Sequence, residues 1–206
     1  MDISQIISRG INVLLSPRKV FNEVKSEQIN MQQIVIYLGI MALPGLIGYI
    51  IGYGVVGVPL VFFTYKFSMG YAIGFGVFYY IMSIVGIIVF GYVINFLAPN
   101  FKSKQNLMQS MKLVAFSATP ALVAGFFNIY PPLALLIFLA ALYGLYMLYI
   151  GIPIFMETPK DQQIIYLIIS IVAYVVIIFV LNWIVSSIMW ASVGGYPITS
   201  ATSWLT

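Results

Sequence analysis

Apolar residues in this chain fall into long uninterrupted blocks. Five stand out, at Ile34–Tyr53, Gly70–Leu97, Leu113–Phe127, Leu133–Phe155 and Ile164–Trp190. A helix needs about 20 predominantly apolar residues to cross a bilayer core, so each block reads as a crossing. The pattern predicts an all-α integral membrane protein with three parts. Residues 1–30 form an amphipathic segment, residues 31–191 a five-span domain, and residues 192–206 an uncharged tail.

The segment ahead of the first span has a different period. Ile3, Ile6, Ile7, Ile11, Leu14 and Leu15 recur at helical spacing, with Ser4, Gln5, Ser8, Arg9 and Asn12 on the other face. Such a helix suits the membrane interface, apolar side down. It lacks the basic region, short apolar core and cleavage site of a signal peptide. Ser16-Pro17 reads as an N-cap followed by Pro at the first helical position. A second short helix with Val20, Phe21 and Val24 buried is expected to follow.

Charge then orients the spans. With residues 1–30 inside the cell, the inner segments hold Arg9, Arg18, Lys19, Lys25, Lys102, Lys104, Lys112 and Lys160, and the outer ones only Lys66. Short Lys- and Arg-rich loops stay cytoplasmic on insertion, which predicts a cytoplasmic N-terminus and an extracytoplasmic C-terminus. Asp2, Glu23, Glu27, Glu157 and Asp161 fall inside as well. The basic residues border spans and form no stripe, so the net charge of +4 points to headgroups and not to nucleic acid. Arg18, Lys19, Lys102, Lys104 and Lys112 are the candidate contacts with anionic lipid, and Lys112 is expected to snorkel to the interface from the first turn of span three.

Small and polar residues suggest how the spans pack. Gly48 and Gly52 in span one and Gly70 and Gly74 in span two are four apart, a spacing that lets helix backbones approach in lipid, within one chain or between copies. Gly54–Phe67 is too short in apolar residues for a sixth crossing. Ser117, Thr119 and Pro120 interrupt span three, and the proline frees a carbonyl near Phe116 for a neighbour or hydroxyl to re-pair. Asn128–Pro132 is so short that spans three and four form an antiparallel hairpin. Tyr143, Tyr146 and Tyr149 make a packing or anchoring stripe in span four. Asn182, costly to leave in lipid, is expected to face the bundle.

Composition narrows the chemistry. The chain is 62% hydrophobic and 7% charged, against roughly 25% charged in soluble domains. Cysteine and histidine are absent, which removes thiolate catalysis, disulfides and the commonest metal ligands. No span contains an acid, Lys or Arg at depth under this assignment, and proton transfer or ion coupling at depth needs such groups. The expectation is a protein with no catalytic residues, cofactor or metal.

Several short elements resemble the Yip family, the Ypt-interacting five-span proteins of the early secretory pathway, which also has many prokaryotic members. They are Pro17 with Phe21 and Val24; the run Ala115, Phe116, Ser117, Ala118, Thr119, Pro120, similar to an aromatic-x-x-x-Pro element; and Leu142, Tyr143, Gly151 and Ile152 leading to a Pro159-Lys160 turn. The resemblance extends roughly from Leu14 to Ile188. It implies a five-span fold and a role in membrane organisation or trafficking. The Asp-Leu-Tyr-Gly-Pro signature and the long acidic N-terminus of eukaryotic members are missing, and Ala115 and Phe116 stand where a glycine-tyrosine pair is expected. The resemblance is to prokaryotic members, which puts the GTPase binding implied by the family name in doubt.

These readings converge on a non-enzymatic membrane-organising or trafficking adaptor. Its partners are the bilayer, anionic headgroups, and itself or another membrane protein. The candidate packing or partner contacts are Pro17, Phe21, Gly48, Gly52, Gly70, Gly74, Ser117, Thr119, Pro120 and Asn182. The competing reading is a passive channel, carrier or lipid-handling protein that uses the uncharged polar groups of spans three and five.

Overall fold

The computed structural model describes residues 3–59 and 64–193, so the uncharged tail beyond Val193 and Leu60–Phe63 lie outside the described residues. Two short helices, α1 (Ile3–Leu15) and α2 (Pro17–Ser26), precede α3 (Met31–Ile51), α4 (Met69–Leu97), α5 (Leu107–Ala124), α6 (Ala134–Met156) and α7 (Lys160–Val193). The last five are long and apolar enough to cross a membrane. A π-helical turn extends α3 to Val56, and Val58–Pro59 pairs antiparallel with Thr64–Tyr65.

Polar caps, not hydropathy, set where α3 and α5 begin. Asn30 and Gln33 form a reciprocal capping box, so α3 starts at Met31, ahead of its apolar run. The Asn106 side chain accepts from the Met108 and Gln109 N–H groups and starts α5 at Leu107. The apolar block expected from Leu113 is therefore the later part of a helix that begins six residues earlier. Ser16 occupies the N-cap position of α2 with Pro17 behind it, although its hydroxyl makes no capping bond.

The helix with the lowest hydropathy of the five forms the centre. Every residue of α5 from Ser110 to Ser117 is buried, packed among α3, α4 and α6. Close approach is made by glycines on its neighbours. A Cβ on Gly91 would meet Met111, and one on Gly144 would sit 2.7 Å from the Ser117 carbonyl oxygen. The α7 helix stands outside this group and follows α4 in antiparallel steps: Tyr166 donates to the Ile94 carbonyl at 2.6 Å, Tyr174 packs on Phe90, and Leu181 fills the space over Gly86. Most of its other face is exposed aliphatic surface, including Val172, Val176 and Phe179.

Tyrosine hydroxyls join pairs of helices across these contacts. Tyr37 shares a hydrogen bond of 2.6 Å with Thr119, linking α3 to α5, and Tyr80 donates to the Gly39 carbonyl at 2.9 Å, linking α4 to α3. Tyr143 reaches the Leu14 carbonyl at 2.8 Å and ties α6 to α1. Each of these tyrosine hydroxyls thus has a partner on another helix, and single bonds of this kind contribute about 0.6 kcal/mol on average within membranes.

Candidate functional site: the N-terminal helical hairpin and the charged end of the bundle

Both short helices are amphipathic, and together they make a hairpin against the bundle. On α1, Ile6, Gly10 and Val13 are buried, and a Cβ at Gly10 would press on the Met41 thioether. On α2, Val20, Phe21 and Val24 are buried as the spacing predicts. Phe21 lies edge-on to Phe155, ring centroids 5.2 Å apart, above the bare backbone of Gly151. The turn between the helices reaches deep. Leu14 meets Tyr143, thirteen residues from the Met156 end of α6, or roughly 20 Å at 1.5 Å per residue. The Leu14 side chain shares a hollow there with Pro44 and Pro120.

One edge of α1 remains uncovered. Ile3, Ile7, Ile11 and Leu15 are all exposed, Leu15 by 76%, and they are four residues apart. Residues at this spacing line up along one side of a helix. Arg18 and Lys19 follow at the start of α2, also exposed. The hairpin thus presents an apolar edge and then two cations.

Lys112 departs from expectation. The side chain is 2% exposed, and Nζ donates to the carbonyls of Val24, Lys25 and Glu27 at 3.0, 3.3 and 2.7 Å. The carbonyls at a helix C-terminus lack intrahelical partners and carry partial negative charge, so an ammonium there satisfies both needs. Lys112 therefore fastens α2 to α5 and contacts no headgroup. The expected snorkelling rested on starting span three at Leu113; starting it at Leu107 puts Lys112 in the second turn, facing the hairpin. Span three thus does carry a buried cation. Gln109, one turn earlier, donates to the Lys25 carbonyl at 3.0 Å.

Ion pairs collect at the same end. Arg9 pairs with Glu27, and Lys25 lies 3.2 Å from Glu157. The other candidate headgroup contacts, Lys102 and Lys104, approach Asp161 and Glu157 at 3.9 and 3.8 Å while staying exposed. Exposed pairs of this kind contribute at most about 1 kcal/mol, which leaves both lysines available to other anions. The Lys25 ammonium, with Lys104 behind it, holds the Glu157 carboxyl below its ordinary value.

The remaining candidates divide. A Cβ on Gly48 would lie 2.6 Å from the Phe126 carbonyl oxygen, and one on Gly52 would strike that of Asn128, so both are packing contacts against the Gly125–Ile129 turn that follows α5. Among the described residues, Gly70 and Gly74 face nothing within 4 Å, and their spacing alone brings no helix close. Thr119 takes Tyr37 as partner and donates to the Ala115 carbonyl at 3.3 Å, not to the carbonyl of Phe116 freed by Pro120. Ser117 is buried with no partner for its hydroxyl. Asn182 is exposed, contrary to expectation, and donates to the Ile178 carbonyl of its own helix at 2.9 Å. That bond meets part of its polar demand without a neighbour. Tyr37, Gly125, Gly144 and the role of Lys112 escape a reading of the sequence, because each matters through a partner far along the chain.

A family model described as the Yip1 domain matches residues 11–202. The chain belongs to the Yip1 domain family. Among curated proteins it is similar to the inner membrane protein YohC of Escherichia coli (strain K12), 31% identical over 104 residues that cover 47% of this chain and 51% of that protein. The YohC protein of Escherichia coli O6:H1 (strain CFT073) matches to the same extent. The chain spans about half the length of the curated relatives it matches. No solved structure matches significantly.

Within this Yip1 domain, the first and third short elements of the sequence resemblance meet in space. Phe21 of the first seats on Gly151 of the third. Phe116 of the second packs on Tyr37 with ring centroids 4.6 Å apart. Tyr143 of the third takes the carbonyl beside the hairpin turn. Phe21, Gly151 and Tyr143 hold the hairpin against the spans.

Proposed function

We propose that this protein is a non-enzymatic membrane-organising or trafficking adaptor whose working surface is the N-terminal hairpin with the basic loop around Lys102 and Lys104. The observation that carries the reading is the uncovered edge Ile3, Ile7, Ile11 and Leu15 on a helix otherwise seated in the bundle. The eight-to-one distribution of basic residues supports a cytoplasmic position for this surface. The apolar edge suits the bilayer beside the spans, the exposed Lys102 and Lys104 at the charged end suit anionic headgroups, and a partner helix meeting the hairpin in that leaflet would use the same edge. The channel reading has less support, since α5 is tightly packed from Ser110 to Ser117 where a pore would have to pass.

Photoreactive side chains at Ile7 and Ile11, activated in native membranes, test the proposal. A discrete protein adduct is expected from both positions and absent from a matching probe at Gln163. Lipid adducts alone would reduce the role to anchoring. Solute flux through vesicles containing the purified protein would overturn the adaptor reading in favour of a channel.

A further inference from the structure

A second feature lies at the opposite half of the spans. Because α7 follows α4, a cleft opens between α7 and α6, floored by α5 and walled on the far side by α4, with a volume of about 270 Å³. Small residues make the room: Gly86, Ala118, Ala121, Ala141 and Gly144 all line it. The effect on the central helix is visible. After the fully buried run ending at Ser117, Ala118, Ala121 and Leu122 regain partial exposure where the cleft passes over them.

The polar groups of the cleft are ordered by depth. Its mouth holds Asn128 and Asn182, both roughly 32 Å from the charged ends of their helices at 1.5 Å per residue, which is the level of the opposite interface. Each amide donates within its own segment, Asn128 to the Gly125 carbonyl and Asn182 to that of Ile178, and its carboxamide oxygen has no partner among the described residues. Ser83 stands part-way down and donates to the Tyr80 carbonyl. Ser117, roughly 15 Å from the charged end of α5, is a wall residue 94% buried whose hydroxyl has no partner. Between these levels the lining is aliphatic and aromatic.

We propose that this cleft binds one acyl chain of a phospholipid from the leaflet opposite the charged end, with its headgroup at Asn128 and Asn182. The depth of the cleft, its apolar small-residue lining and its amide-bearing mouth match an amphiphile lying along the membrane normal. A partner helix fits less well, because a helix with its side chains is about 10 Å across and one turn of it outgrows a cleft of about 270 Å³. Binding makes the groove a lipid-presenting or lipid-sensing element distinct from the hairpin at the other end.

The test uses the intact chain in vesicles of phosphatidylethanolamine and phosphatidylglycerol, with a fraction of the phosphatidylglycerol carrying a photoreactive group midway along one chain. Adducts are expected on Ala118, Ala121 and Leu122 of α5, which the cleft exposes. Adducts confined to the exposed face of α7, around Val172, Val176 and Phe179, would overturn the proposal. Ala121→Phe and Ala141→Phe fill the cleft from its floor and from its α6 side, and either should cut α5 labelling about tenfold, the factor that a loss of about 1.4 kcal/mol in affinity gives. Labelling unchanged in both would also overturn it. If the occupant is a second copy, Ile178→Cys will form a disulfide dimer in the membrane and α5 will stay unlabelled, which overturns it as well.

Discussion

Lys112 and Glu27 are joined by the shortest of three bonds from one ammonium: Lys112 Nζ donates to the Glu27 backbone carbonyl at 2.7 Å, while the Glu27 carboxylate pairs with Arg9. Glu27 thus connects both hairpin helices to the central span. A cation at a helix C-terminus in a partly buried setting stabilises by up to about 2 kcal/mol, and a hydrogen bond to a charged group by roughly 1.5–3 kcal/mol. Lys112→Met should therefore loosen the hairpin by about 2–3 kcal/mol and leave the five spans assembled. Amide exchange in residues 3–26 is expected to accelerate while exchange in α5 stays slow. Equal acceleration in both would mean that Lys112 supports the whole bundle.

The glycines make a paired prediction. Gly52→Ala places a methyl against the Asn128 carbonyl, a backbone atom that cannot swing away, so a destabilisation of roughly 1–3 kcal/mol is expected. Gly74→Ala meets open space and should be neutral or stabilising by up to about 1 kcal/mol through helix propensity. Unfolding by a graded denaturing detergent compares the two. A Gly74→Ala variant weakened as much as Gly52→Ala would place a second copy against α4.

Acid should loosen the charged end through Glu157. Its carboxyl titrates below the ordinary value because Lys25 donates to it. A depressed carboxylate stabilises above its unfolded pKa, and that contribution is lost as pH falls through the folded value. The difference in thermal midpoint between the native protein and Glu157→Gln should therefore shrink as pH is lowered from about 6 to about 3. A difference that is constant over this range would show that the pair contributes nothing.

Orientation has a direct readout. Cysteines placed at Gln105 and Thr64, both exposed, should react with an impermeant maleimide from opposite sides of the membrane, Gln105 only after the cytoplasmic side is opened. Labelling of both from one side would contradict the arrangement of the first two spans.

The Tyr37–Thr119 bond offers a last check on packing. Tyr37→Phe and Thr119→Val should each cost about 0.6 kcal/mol, and the double variant little more than either, because both remove the same bond. Strictly additive losses would mean that each hydroxyl has a separate role.

Length and apolar character alone determined that residues from Ile34 to Trp190 cross a membrane five times, since a backbone in lipid must satisfy its own hydrogen bonds and a helix does so locally. The period of Ile6, Val20, Phe21 and Val24 likewise marked the buried faces of α1 and α2, a local property of helix geometry. Hydropathy could not mark where α5 begins, because Gln109, Ser110 and Lys112 interrupt the apolar residues of its first two turns. That offset alone moved Lys112 from headgroups to the C-terminus of α2. Which glycines are packed was also beyond the sequence. Gly48 and Gly74 share a spacing motif, and only the path of the chain through Phe126 and Asn128 gave the first a backbone to meet and left the second bare. Asn182 points the same way: its helix follows α4 and turns from α6, so the amide stands at the mouth of a cleft instead of inside a closed bundle. Local spacing decides which face of a helix is apolar; which neighbour covers that face depends on residues eighty positions away, and only the packed structure brings them together.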